Sequence, residues 1–151
     1  MSNKPTLALR LISMIAYLAM VVGIIGMIAA HKLFSSQPVV ILAQLGALGL
    51  LIWARVTFGL RSFHVVANPT QGGLITRGPY RVVRHPIYAA VSLFTVAGAA
   101  GNLSWIAAGL SGLVVASSLA RIFCEEALLP GQYPEYREYS SRTWRMIPFV
   151  F

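Results

Sequence analysis

The chain alternates long apolar runs with short polar segments. Leu11–Ala30 is 20 residues without a charge. At about 1.5 Å per residue that spans a hydrocarbon core of about 30 Å. A secretory leader is the rival reading, but its apolar core runs to about 7–15 residues, so a retained helix is expected. Val39–Ala54 forms a second span, with Pro38 in its first turn, running on towards Leu60. Ile87–Ala120 is 34 uncharged residues, which as one straight helix would overshoot the bilayer by about 20 Å. Gly98, Gly101 and Asn102 supply turn residues in its middle and Ser104 an N-cap candidate. A tight helical hairpin follows: span three from about Ile87 to Ala100, span four from about Leu103 to Glu126. The third span is short, so it extends at its start, tilts little or thins the bilayer. The segment Leu128–Tyr139, with Trp144–Phe149, reads as a short amphipathic helix on the membrane surface. The glycine pairs Gly23/Gly26 and Gly46/Gly49 lack the spacing of the helix-dimer motif and are expected to permit close packing within the bundle.

The expected fold is an all-α integral membrane protein. About four transmembrane helices carry a cytosolic loop and a C-terminal interfacial helix. It is one domain over 1–151, with the first two spans in 1–62 and a core in 63–151 built on the hairpin 87–126. Composition agrees: 57% of residues are hydrophobic, 11% are charged, and the mean hydropathy is +0.71. A soluble domain carries about a quarter charged residues. The formal charge is +8, yet the basic residues sit between apolar runs and not on a polar surface, which argues against nucleic acid as a partner. Lone Cys124 allows no internal disulfide.

Charge sets the orientation. With four spans, Lys4, Arg10, Arg55, Arg61, Arg77, Arg81, Arg84, Arg121, Arg137, Arg142 and Arg145 fall on one side and Lys32 alone on the other. The positive-inside rule then places both termini and the second loop in the cytoplasm. There is no Asp, and the four acids are Glu125, Glu126, Glu135 and Glu138.

Chemistry concentrates in two polar segments. The second loop, Asn68 to Tyr88, is too long for a plain connector. Gly72, Gly73 and Gly78 permit a ligand to approach the backbone. Pro86 suits the first turn of span three, with His85 at its N-cap and Tyr88 one turn in. The plain alternative is an interfacial loop holding anionic lipid heads, with Tyr80 and Tyr88 in the aromatic belt. Arg121 and Glu125 share one face of span four while Glu126 points elsewhere. An ion pair marking the membrane boundary explains the first two but not the adjacent acids, which repel. His31 and His64 are isolated. No cluster has metal-ligand spacing, so no metal is expected.

Leu74-x-x-x-Gly78-x-Tyr80, Arg84-His85-Pro86-x-Tyr88, Arg121-Ile122-x-x-Glu125-Glu126, the stretch from Gly131 through Tyr133 to Tyr136, and closing Ile147-Pro148-Phe149 follow in this order, with a hairpin between the second and third. In these the chain resembles the isoprenylcysteine carboxyl methyltransferase family of integral membrane methyltransferases, and the wider group containing phospholipid N-methyltransferases. The resemblance covers about Phe63 to Phe149. It implies S-adenosyl-L-methionine as cofactor, bound at the cytosolic membrane face. Leu74, Ile75, Tyr80, His85, Pro86, Tyr88 and Glu125 would line its pocket, and Arg121 would face the substrate. An amine acceptor would need a proton acceptor, with Glu126 or His85 as candidates; a carboxylate or thiolate would need none. The expected partner is a lipophilic small molecule or lipid. Two other readings stand beside it: an NADPH-dependent reductase of the sterol-reductase kind, and a non-enzymatic four-helix membrane protein. An acid deep inside a span, needed by a proton-coupled exporter, is missing from spans one to three.

Overall fold

The computed structural model describes residues 6–59 and 73–151. Of the residues singled out above, Lys4, Leu60, Arg61, Phe63, His64 and Asn68 to Gly72 lie outside the described residues. Among the described residues five α-helices follow in order: α1 Leu7–Ala29, α2 Pro38–Phe58, α3 Pro86–Asn102, α4 Trp105–Gln132 and α5 Tyr136–Ser141, with a 3-10 turn, Gly78–Arg81, before α3. α1, α2 and α4 are each long and apolar enough to cross a membrane. At 17 residues α3 is shorter, about 25 Å of helix. α1 packs on α4, α4 on α3, and α3 on α2, which also carries the 3-10 turn.

The side chains are arranged inside out relative to a water-soluble bundle. Along α1 the exposed positions are large and apolar: Leu11, Ile15, Leu18, Val22 and Ile25. The buried ones are Ser13, Ala16, Gly23 and Met27. Along α2, Val39, Leu42, Leu45, Ile52 and Val56 face out, while Val40, Gln44, Ala47 and Ala54 face in. Small and polar groups at helix contacts with large apolar groups outward is the pattern of helices that associate in lipid, where close packing and hydrogen bonds take over from the hydrophobic effect.

Close approach is specific to a few positions. A Cβ on Gly23 would lie 2.7 Å from Val114 Cγ2, and one on Gly98 would lie 2.2 Å from the Leu33 carbonyl oxygen. Gly46 and Gly49 depart from expectation, because a Cβ there would meet nothing within 4 Å. Among the described residues they lie on an open face of α2. Gly78 uses a left-handed backbone (φ 60°), and a Cβ there would lie 2.6 Å from Thr57 Oγ1 of α2.

The hairpin is tighter than the glycines suggested. Helix α3 continues through Gly98 and Gly101 to Asn102, and the chain reverses at Leu103 (φ 42°) with Ser104 as N-cap of α4. The two glycines instead let the α1–α2 connection lie against α3: the Cβ of Gly101 would strike Ser35. Side chains then tie that connection down. Asn102 Nδ2 donates to the carbonyls of Lys32, Phe34 and Gly98, and Gln44 Nε2 donates to Leu33 O at 2.7 Å. At its far end α4 also outruns expectation, reaching Gln132 with Pro130 inside its last turn. Residues 128–132 thus belong to α4, and the separate short helix is only α5.

Candidate functional site

Antiparallel packing gathers the start of α1, the end of α2, the start of α3 and the end of α4 at one end of the bundle. Pro86 holds the first position of α3, where a missing N–H costs nothing. His85 is its N-cap, and the His85 carbonyl accepts from Ala89 N. The segment leading into α3 is held by the tail. Trp144 N donates to Val82 O, Arg84 N to Trp144 O, and His85 N to Arg145 O, at 2.7–3.0 Å. This isolated parallel bridge, centred on Val83 and Trp144, fixes the His85 backbone from the C-terminal side.

His85, Tyr88, Arg121, Glu125 and Glu126 come together as one chain of polar contacts. Arg121 Nε donates to Tyr88 Oη at 2.7 Å, and Tyr88 Oη donates to Glu125 Oε1 at 2.5 Å. Glu125 Oε2 lies 3.6 Å from His85 Nδ1, and His85 Nε2 lies 3.2 Å from Glu126 Oε1. The imidazole therefore bridges the two adjacent carboxylates, which point apart as the helical register requires. Glu126 is further enclosed by two guanidinium groups, with Arg84 Nε at 3.0 Å from Oε1 and Arg145 Nε at 2.8 Å from Oε2. Arg84 also reaches the Ser140 carbonyl and both oxygens of Thr143.

Exposure separates the members. Arg121 is 4% exposed and His85 6%, whereas the Glu125 side chain keeps 26% and the Glu126 side chain 13%. Arg121 is also committed to the protein: Nη1 donates to Ser13 O of α1, Nη2 lies 3.5 Å from Glu125, and its guanidinium stacks over the Tyr17 ring. Tyr136, from α5, brings a buried hydroxyl towards Glu126 that makes no hydrogen bond of good geometry among the described residues. Burial, followed by the nearby Glu126 charge, pushes that phenol above the usual tyrosine range, so it stays a neutral donor.

The remaining expected residues are placed differently. Tyr80 is buried against Phe58 at a ring distance of 5.5 Å, and its carbonyl accepts from Tyr139 Oη at 2.6 Å. Leu74 lines an open cleft of about 550 Å³ with Thr76, Arg81, Glu135, Glu138, Tyr139, Arg142 and Thr143. Of these, Thr143 touches the cluster through Arg84. Ile75 is half-buried. Two residues of the cluster, Arg84 and Arg145, were not among the expected site residues. Arg84 directly precedes His85, which was a usable signal; nothing periodic in the sequence marks Arg145.

The sequence model of the isoprenylcysteine carboxyl methyltransferase (ICMT) family matches residues 38–130. No curated protein and no solved structure matches the chain. The matched stretch takes in α2, which carried none of the motifs, and stops short of the tyrosine-rich tail. It spans more than half of the 151 residues and includes His85, Tyr88, Arg121, Glu125 and Glu126. The chain belongs to the isoprenylcysteine carboxyl methyltransferase family, a family of membrane methyltransferases.

Proposed function

We propose that the protein transfers a methyl group from S-adenosyl-L-methionine to a lipophilic acceptor that reaches the site through the bilayer. The observation that carries this reading is the polar chain Arg121–Tyr88–Glu125–His85–Glu126 at one end of a bundle whose long helices turn large apolar side chains outward. Such a place suits a reaction between a water-soluble cofactor and a membrane-soluble acceptor. The positive-inside rule supports the cytosolic face for this end.

The donor set fits the cofactor. Glu125, the more exposed carboxylate, is suited to an ammonium group. The faces of Tyr88 and the buried Tyr136 hydroxyl offer a contact for a cation and a hydrogen-bond donor. Leu74 and Ile75 are proposed to cover the cofactor's apolar parts, with Tyr80 and Pro86 shaping the wall behind them. The bound cofactor would supply an electrophilic methyl group. The protein's work is then positioning, because an in-line displacement gains most from holding nucleophile and methyl carbon about 3–3.5 Å apart.

Arg121 and Glu126 take supporting roles in this account. Arg121 spends its donors on Tyr88, Ser13 and Glu125, so it orients those groups and does not grip the substrate. Glu126 is enclosed by Arg84, His85 and Arg145. A carboxylate so committed is a poor proton acceptor, which favours a nucleophile that arrives as an anion, a carboxylate or a thiolate, over a protonated amine.

The test is calorimetric titration of S-adenosylhomocysteine into the purified protein in nanodiscs, with NADPH titrated in parallel. The proposal expects one site for the homocysteine product and none for NADPH, with at least about tenfold weaker binding in Glu125→Ala. Binding of NADPH alone would overturn it.

A further inference from the structure

The last eight residues present an apolar surface that no helix of the bundle covers. Phe149 is 84% exposed, Val150 74% and Ile147 54%. In a water-facing tail this would be unfavourable, but the surface is continuous with the outer face of α4. Phe123 of α4 is 52% exposed and its ring lies 6.4 Å from that of Phe151. Trp144 joins the same patch, its ring 5.8 Å from Phe149.

Between these rings lies Arg145. Its guanidinium stacks over Phe123 at 5.6 Å and over Phe151 at 5.1 Å while Nε reaches Glu126. One side chain thus joins the aromatic patch to the polar cluster. The backbone of the same two residues, Trp144 and Arg145, holds the Arg84 and His85 amides.

We propose that residues 144–151 form a membrane-seated clasp. Trp144, Phe149 and Val150 insert at the headgroup–acyl boundary of a glycerophospholipid bilayer, and this insertion keeps Arg145 on Glu126 and the bridge on Arg84 and His85. Aromatic rings with a cationic side chain threaded between them suit that boundary, which takes the rings and leaves the charge near water. The bilayer is therefore a structural partner of the cluster, and loss of lipid contact at the tail loosens the segment before α3. This holds whichever reaction the cluster performs.

The test uses the full chain with Trp53→Phe and Trp105→Phe, leaving Trp144 as the fluorophore, in phosphatidylcholine nanodiscs. Chains brominated near the headgroup should quench Trp144 more strongly than chains brominated near their ends, and aqueous iodide should quench it weakly. Phe149→Ser with Val150→Ser, both at exposed positions, should lower bromine quenching. It should also speed hydrogen exchange of the Arg84 and His85 amides about tenfold, as local opening becomes easier. Strong iodide quenching would overturn the proposal, as would shielding from both quenchers, which would place a protein surface there. Unchanged exchange in the double variant would overturn the coupling. Because neither readout involves catalysis, these outcomes stand apart from the fate of the methyltransferase reading.

Discussion

Replacing Glu126 by glutamine separates a structural carboxylate from a ligand-binding one. The amide keeps the volume but loses the charge, and its NH2 faces a donor wherever it turns, because Arg84, His85 and Arg145 all approach within 3.2 Å. Hydrogen bonds to a charged group are worth about 1.5–3 kcal/mol each against about 1 kcal/mol for neutral ones. Arg145 is 36% exposed, so its share is small. Arg84 is 9% exposed but retains the Ser140 and Thr143 oxygens. The net loss is then about 2–3 kcal/mol, or roughly 5–10 °C in apparent Tm for a chain of this size. Glu125→Gln should lose only about 1 kcal/mol, since that side chain is 26% exposed and its amide oxygen still accepts from Tyr88. The assay is thermal unfolding in one detergent, with S-adenosylhomocysteine affinity measured on the same samples. The account expects Glu126→Gln to fall mainly in Tm and Glu125→Gln mainly in affinity. Equal Tm losses in the two variants, or an unchanged Tm in Glu126→Gln, would refute the division of roles.

Other consequences follow from packing and from the tail. Gly98→Ala should lower stability by about 3 kcal/mol, because its methyl would meet the Leu33 carbonyl at 2.2 Å; Gly46→Ala, facing open space in a helix, should raise stability by about 0.5–1 kcal/mol, and denaturation of the pair in detergent checks both. Asn102→Ala removes a donor group serving three carbonyls and should cost about 1–3 kcal/mol, read as a lower Tm. Tyr139 donates to the Tyr80 carbonyl and burial pushes its phenol up to about 12. The folded value is raised above an unfolded value near 10, so its contribution is complete below pH 10 and is lost as pH rises towards 12. Tyr139→Phe should be less stable at neutral pH and lose less stability across that alkaline range, measured by Tm against pH.

Spans one, two and four were legible because an apolar run of the right length has few other uses, and the proline at the start of α3 marked that boundary well. The hairpin turn was harder to place. Gly98 and Gly101 look like turn formers, but their lack of a side chain serves the contact with Leu33 and Ser35, which depends on a connection 60–70 residues earlier in the chain. The same ambiguity ran the other way at Gly46 and Gly49, where a Cβ would meet nothing within 4 Å among the described residues. In the site, the helical spacing of Arg121 and Glu125 and the adjacency of Glu126 placed three residues correctly relative to each other. Their partners on α3 came from motif order. Arg145 was not legible, since it reaches Glu126 through a single parallel bridge at Val83 and Trp144. One bridge has no period for a sequence to show.

His85 and Glu125, brought together from the start of α3 and the end of α4, are proposed to form part of a binding site for S-adenosyl-L-methionine. Titration of S-adenosylhomocysteine into the wild-type protein, His85→Ala and Glu125→Ala, each in nanodiscs of one lipid composition, tests this most directly. The account predicts saturable one-site binding to the wild type, and a dissociation constant at least about tenfold higher in each variant. Equal affinity in all three proteins, or no binding to a folded wild type, would contradict it.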